Sequence, residues 1–150
     1  MRGTKLQLTE RIKNCNGCEA CVVACKYNCV KMETVDGLKR PVVNEDGCSK
    51  CNACMLYCPL YMPVTMPKFE EFFESDEDIR GREMAPLYRA TSRTVRAGQH
   101  AEFVGTLCQI AAMKSIRGDK NDRNLVFYPI YCDEAQRASN PACAACTFYK

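Results

Sequence analysis

Apolar residues fall into several stretches of different period along the chain of 150 residues. Residues 29–34 and 40–44 are short Val- and Met-containing runs on either side of Val35-Asp36-Gly37-Leu38, which predicts a hairpin of two strands. Pro59, Pro63 and Pro67 then interrupt regular structure. Phe69, Phe72 and Phe73 lie at i, i+3 and i+4, the spacing of an amphipathic helical turn or two within 67–75. From 75 to 100 the apolar residues have no period. Glu74, Asp76, Glu77 and Asp78 are followed by Arg80, Arg82, Arg89, Arg93 and Arg96. The segment 66–100 as a whole reads equally as that helix packed on the preceding unit with a solvated charged tail, or as an extended docking arm. After residue 100 the order is strand (101–105), turn (106–107), helix (108–116), polar loop (118–124) and second strand (124–131), a βαβ unit with parallel strands.

Composition changes this picture through one residue type. There are 13 cysteines, a density that in a short secreted chain signals disulfides. The first ten residues, however, contain no apolar signal core, and no apolar run is long enough to span a membrane. A reducing, cytoplasmic setting is expected, with the clustered cysteines binding metal. Their spacing repeats. Cys15-x-x-Cys18-x-x-Cys21-x-x-x-Cys25 recurs 33 residues later as Cys48-x-x-Cys51-x-x-Cys54-x-x-x-Cys58-Pro59. Asn16-Gly17-Cys18-Glu19-Ala20-Cys21 is echoed by Ser49-Lys50-Cys51-Asn52-Ala53-Cys54. A zinc site pairs two CxxC units and has no need of a third thiolate at +6 and a fourth at +10.

This double spacing resembles the bacterial two-cluster ferredoxins over roughly residues 8–62. The resemblance implies two 4Fe-4S clusters. Three thiolates at i, i+3 and i+6 wrap three corners of a cubane, while the fourth starts a helix leading away and reaches the other cluster. Cys15, Cys18, Cys21 and Cys58 are thereby assigned to one cluster, and Cys48, Cys51, Cys54 and Cys25 to the second. Gly17, Ala20, Ala24 and Ala53 are small enough for the backbone to approach the sulfides. Two features depart from the pattern: Lys26 stands where the first repeat usually has Pro, and Cys29 is a surplus thiol, read as a small buried hydrophobe.

Four further cysteines lie in the last third. Cys108 starts the predicted helix, where the dipole favours a thiolate, Cys132 ends the second strand on the same sheet edge, and Cys143-x-x-Cys146 follows. Phe103-Val-Gly-Thr-Leu-Cys108-Gln-Ile, Cys132 and Cys143-Ala-Ala-Cys146-Thr-Phe resemble the beta-subunit family of deazaflavin-coenzyme (F-420) hydrogenases and dehydrogenases over roughly 84–148. The resemblance implies a third 4Fe-4S cluster on Cys108, Cys132, Cys143 and Cys146. Relative to that family the chain lacks a long stretch before Phe103 and stops at Lys150, leaving too little to enclose a flavin and its substrate; the family's catalysis is not expected.

The formal charge of +3 counts thiols as neutral. Three oxidised clusters at about −2 each would bring it to roughly −3, so positive charge is no argument for nucleic acid. His100 reads as a surface residue, and no phosphate loop, GxGxxG or nucleophile with a base is present. Met55, Met62, Met66 and nearby tyrosines read as shields that keep water from clusters. The expected class is α+β: a ferredoxin-like two-cluster module with a hairpin insertion (1–65), a linker or docking arm (66–100), and a small βαβ cluster-binding unit (101–150). The expected role is a non-catalytic, single-electron relay subunit of a larger anaerobic oxidoreductase. It would work with a catalytic subunit and a soluble carrier, without membrane insertion or nucleic acid. The rival readings are a reduced flavin- or deazaflavin-dependent relative and a structural adaptor stapled by clusters.

Overall fold

The computed structural model describes residues 15–35, 38–44, 46–48, 51, 53–74, 82–120, 122–132 and 143. Each cysteine repeat turns into a very short helix at its third cysteine: α1 is Ala20–Ala24 and α2 is Ala53–Leu56. Both begin on the alanine that precedes that cysteine, and the two helices pack against each other. Helices this short do not persist in isolation, so tertiary contacts must hold them. Strands β1, Val30–Val35, and β2, Leu38–Val43, pair antiparallel with Val30 opposite Val43 and Met32 opposite Pro41. Pro41 is tolerated because each strand of a two-stranded ribbon has a free edge. Asn44 N–H donates to Cys29 O at 2.7 Å and closes the base of the hairpin. The apolar filling of this half is small: Val30 and Met55 are buried, with Cys21, Val22, Cys25, Val43 and Cys54 packed around them.

The later half has a larger core. β3, Ala101–Gly105, and β4, Leu125–Pro129, are parallel, Ala101 opposite Leu125 and Gly105 opposite Pro129, with the helix Leu107–Ile116 between them in sequence. Along β3 burial alternates, with Ala101, Phe103 and Gly105 inside and Glu102 and Val104 outside, as a half-covered strand requires. The helix is apolar on nearly every side and its residues from Ile110 to Ser115 are all buried, so it occupies the centre of this half. Thr106 and Gln109 form a capping box at its start, Gln109 Oε1 accepting Thr106 N–H at 3.0 Å. The buried Lys114 pairs with Asp119 at 3.5 Å, and the Asp119 carboxylate also accepts the Thr65 N–H at 3.1 Å, tying down the proline-rich stretch.

The region between the halves departs from the sequence reading in two ways. The stretch 67–74 is not helical. Phe73 instead lies beside β4 in a parallel bridge to Ile130, its N–H donating to Pro129 O (2.9 Å) and its carbonyl accepting Tyr131 N–H (2.8 Å). Three phenylalanines at helical spacing also suit an extended segment, because aromatic residues favour pleated surfaces. The ring of Phe73 meets Tyr128 edge-on at 5.8 Å.

The second departure is a 12-residue helix, Ala85–Arg96, inside the stretch read as linker or arm, numbered α3 here so that Leu107–Ile116 is α4. Pro86 stands in its first turn and Arg93 and Arg96 in its last, both favoured by helix ends. Gly98, at φ 77°, reverses the chain and donates to Val95 O (3.0 Å), while Gln99 N–H reaches Thr94 O (3.1 Å). Its inner face is Ala85, Tyr88, Thr91, Ser92 and Val95. That face holds three hydroxyl residues and one alanine, so the helical period is carried by the arginines outside it and not by a run of large apolar residues.

The two halves share a core. Ala20 of α1 is buried in the same cluster as Met84, Tyr88, Phe103, Ile110 and Met113, with Cys18 and Val23 packed against it. None of the helices is long and apolar enough to cross a membrane, among the described residues.

Candidate functional site

The loop of the first repeat is shaped by two left-handed residues, Gly17 (φ 75°) and Glu19 (φ 72°), on either side of Cys18. Asn16 Oδ1 accepts the Cys18 N–H at 3.1 Å, and Arg40 from the hairpin donates to Cys15 O at 2.7 Å, which fixes the loop's outer turn. Alternating backbone of this kind makes a concave nest of N–H groups. Cys58 follows α2, its N–H bonded to Met55 O at 3.1 Å, and comes back to this loop. Cys15, Cys18, Cys21 and Cys58 line one cavity, together with Met32, Pro41 and Leu60. Cys48, Cys51 and Cys54 of the second loop line another with Cys25, Val30, Val43 and Ala53. The fourth cysteine of each repeat thus lies with the first three of the other.

Cys29, the surplus thiol, also lines the second cavity. It is buried, as a small hydrophobe would be, but its N–H donates to Cys25 Sγ at 3.3 Å and its thiol contacts Tyr27 O at 3.6 Å. Gly47 lies so near that a Cβ there would come within 3.0 Å of Cys29 Sγ. Five sulfurs therefore border this cavity, where the repeat accounts for four. Spacing hid this role because Cys29 stands outside the repeat.

Burial sets the electrostatics of both cavities. Desolvation pushes the Cys18 and Cys21 thiols far above the ordinary value, and the neighbouring cysteines push them further. Cys54 and Cys58 are raised for the same first reason. Backbone amides act in the opposite sense: Ala20 N–H on Cys18, Met55 on Cys54, and Tyr61 and Leu60 on Cys58. Four sulfurs in an apolar enclosure, each disfavouring its neighbours' ionisation yet several met by N–H donors, suit a cationic core that takes up thiolates together. Among the described residues no three Cys, His, Asp or Glu side chains close on a point that would hold one ion. The donor set, cysteines alone gathered at each of two cavities, fits a polynuclear cluster better than zinc.

The last four cysteines are only partly visible. Cys108 lies in the first turn of α4, its Sγ 3.0 Å from Thr106 Oγ1. Cys132 is buried just beyond Ile130, whose N–H bonds to Gly105 O at 2.8 Å. Both thus leave the same end of the parallel pair. Cys143 is half-buried and Cys146 lies outside the described residues. Cys108 is close enough to the first cavity for its charge to act on Cys18.

Two residues that the sequence did not single out bind the first loop to the later half. Tyr88, fully buried, donates its hydroxyl to Cys18 O at 2.6 Å and stacks on Phe103 at 5.8 Å. Burial holds its phenol well above the ordinary value, so it stays a donor. Glu19 accepts the N–H groups of Met84 (2.9 Å) and Ala85 (3.1 Å) at the start of α3. Neither signal is readable from spacing, since a glutamate in a cysteine loop looks like a solvated charge.

Residues 14–61 match the family model of the 4Fe-4S dicluster domain. This stretch is a ferredoxin-type domain, a class that carries iron–sulfur clusters for electron transfer. The match ends before the βαβ unit, and the likeness of 84–148 to the deazaflavin beta subunits has no support from it. No curated protein and no solved structure gives a significant match to the chain.

Proposed function

We propose that this chain relays single electrons as a subunit of a larger oxidoreductase. Cys15, Cys18, Cys21 and Cys58 would hold one 4Fe-4S cluster and Cys25, Cys48, Cys51 and Cys54 a second. The observation that carries the reading is the sorting of these eight cysteines, four and four, into two apolar cavities. Clusters bound there supply reversible one-electron exchange. The chain's own part is to keep water out with Met32, Leu60, Val30 and Val43, and to offer the backbone N–H groups that stabilise thiolate sulfur.

A third cluster on Cys108, Cys132, Cys143 and Cys146 would extend the relay from the first cavity into the βαβ unit. The electrostatic contact between Cys108 and Cys18 supports that order. Beyond the chain we place a catalytic subunit and a soluble carrier in an anaerobic cytoplasm, with no chemistry of the chain's own. The parallel βαβ unit favours a second reading, a reduced relative of the deazaflavin beta subunits, which predicts a flavin absorbance band in the purified complex.

Iron and zinc per chain, measured with redox-poised EPR, test the proposal. Two clusters require about eight irons and three about twelve. Cys108→Ser should remove about four irons and leave the other two clusters intact; unchanged iron rules out the third cluster. Zinc in place of iron at the repeat overturns the relay.

A further inference from the structure

Two departures from the repeat are left over once eight cysteines are sorted into two cavities, and both sit beside Cys25. Lys26 follows Cys25 where Pro59 follows Cys58, and Cys29 stands four residues beyond Cys25 where Met62 stands four beyond Cys58. Proline restricts the residue before it as well as its own φ, so Cys58 is held by its successor and Cys25 is not. Cys25 ends α1 in an extended conformation. The chain then runs out through exposed Lys26, Tyr27 and Asn28, the last at φ 55°, and turns back inward at Cys29. Cys29 is 3% exposed and lines the second cavity with Cys25, Cys48, Cys51 and Cys54. Its N–H donates to Cys25 Sγ at 3.3 Å, so the two residues meet at one corner of that cavity. Its thiol donates to Tyr27 O at 3.6 Å, a weak bond for a weak donor. Gly47, next to Cys48, leaves the sulfur room, since a Cβ there would stand 3.0 Å from it.

The geometry points to Cys29 as a reserve ligand of the second cavity's cluster, taking the corner held by Cys25 when that bond opens. The inference rests on the relay reading above, which places a cluster there. The exchange breaks one iron–sulfur bond to Cys25 and forms one to Cys29. The Cys29 proton passes to the sulfur that leaves, and no electron moves. The first cavity has no such reserve: Met62 carries a thioether, is 48% exposed and does not line it. The reserve also lies where it is needed, because Cys51 of the second set is exposed while Cys58 of the first is buried.

The test is iron per chain in the intact protein, compared with the unaltered chain, for Cys25→Ala, Cys58→Ala and the double variant Cys25→Ala with Cys29→Ala. Alanine offers no ligand, so any retained corner must come from another residue. Cys25→Ala should keep all its iron, whereas the other two should each lose about four irons. Loss of iron from folded Cys25→Ala, whether one atom or four, overturns the inference and leaves the relay reading standing. Full iron in Cys58→Ala or in the double variant also overturns it, because a cluster would then need no fourth cysteine. Fewer than about eight irons in the unaltered chain overturn both readings. If Cys25→Ala yields no folded protein, Cys29→Ala decides by the rate at which a chelator removes iron. It should start with the iron of the unaltered chain and release about four of those atoms several-fold faster. Equal rates overturn the inference.

Discussion

The two halves of this molecule are held together by different means. Among the described residues, the earlier half's own core centres on two buried apolar side chains, Val30 and Met55, with Cys21, Val22, Cys25, Val43 and Cys54 packed around them. The later half packs Tyr88, Phe103, Ile110, Ala112 and Met113, all fully buried, between two helices and a parallel pair of strands. Helices of five and four residues and a two-stranded ribbon cannot stand on so small a core. The difference teaches that cysteine placement is the structural framework of the first half, whereas in the second Cys108 and Cys132 flank a core built largely from other side chains.

The largest expected effect follows directly. Stripping iron with a chelator under reducing conditions should abolish ordered structure in the first half and leave α3, α4 and the parallel strands in place. Amide exchange measured by mass spectrometry checks this region by region: protection lost across 15–58 and kept across 101–129 is the expected pattern. Uniform loss would show that the later core depends on the clusters. Uniform retention would show that the first half has an apolar core of its own strength.

A smaller effect sharpens the same contrast. Phe103 is 1% exposed, stacked on Tyr88 at 5.8 Å and edge-on to Phe127 at 6.1 Å. Phe103→Ala should cost about 3–5 kcal/mol, the usual range for a buried phenylalanine. If the later core is self-sufficient, urea unfolding will give the same loss with and without iron. A loss present only in the iron-loaded protein would mean that the core forms only around the clusters.

Legibility from sequence follows the same divide. The hairpin and the βαβ unit were readable to within a residue or two, because alternation along β3 and turn residues between the strands reflect burial on one face. The helix at 85–96 was not readable, because its inner face is Ala85, Tyr88, Thr91, Ser92 and Val95, a set that hydropathy scores as mixed. The phenylalanines at 69, 72 and 73 misled for the opposite reason: a period of three and four over five residues fits a helix, and partner strand β4 decided otherwise. At the site, spacing alone identified which cysteines belong to the repeat. The exchange of Cys25 and Cys58 between loops came only from likeness to ferredoxins, and the approach of Cys29, Glu19 and Tyr88 came from tertiary contacts that leave no local pattern.

The smallest expected effect lies where the two halves meet. Thr106 is 1% exposed, caps α4 in a box with Gln109, and touches Cys108 Sγ at 3.0 Å. Thr106→Ala removes the side-chain cap and should cost about 1 kcal/mol, the typical loss for an N-cap hydroxyl. Because α4 belongs to the half with its own core, that loss should appear in urea unfolding of iron-free and iron-loaded protein alike. The iron held by the cysteine repeat should not change, since Thr106 lines neither of the two cavities. A drop of about four irons would instead show that the hydroxyl supports Cys108 as a ligand. A drop of about eight would show that the later half governs the repeat's cavities, and the contrast between the halves would fail.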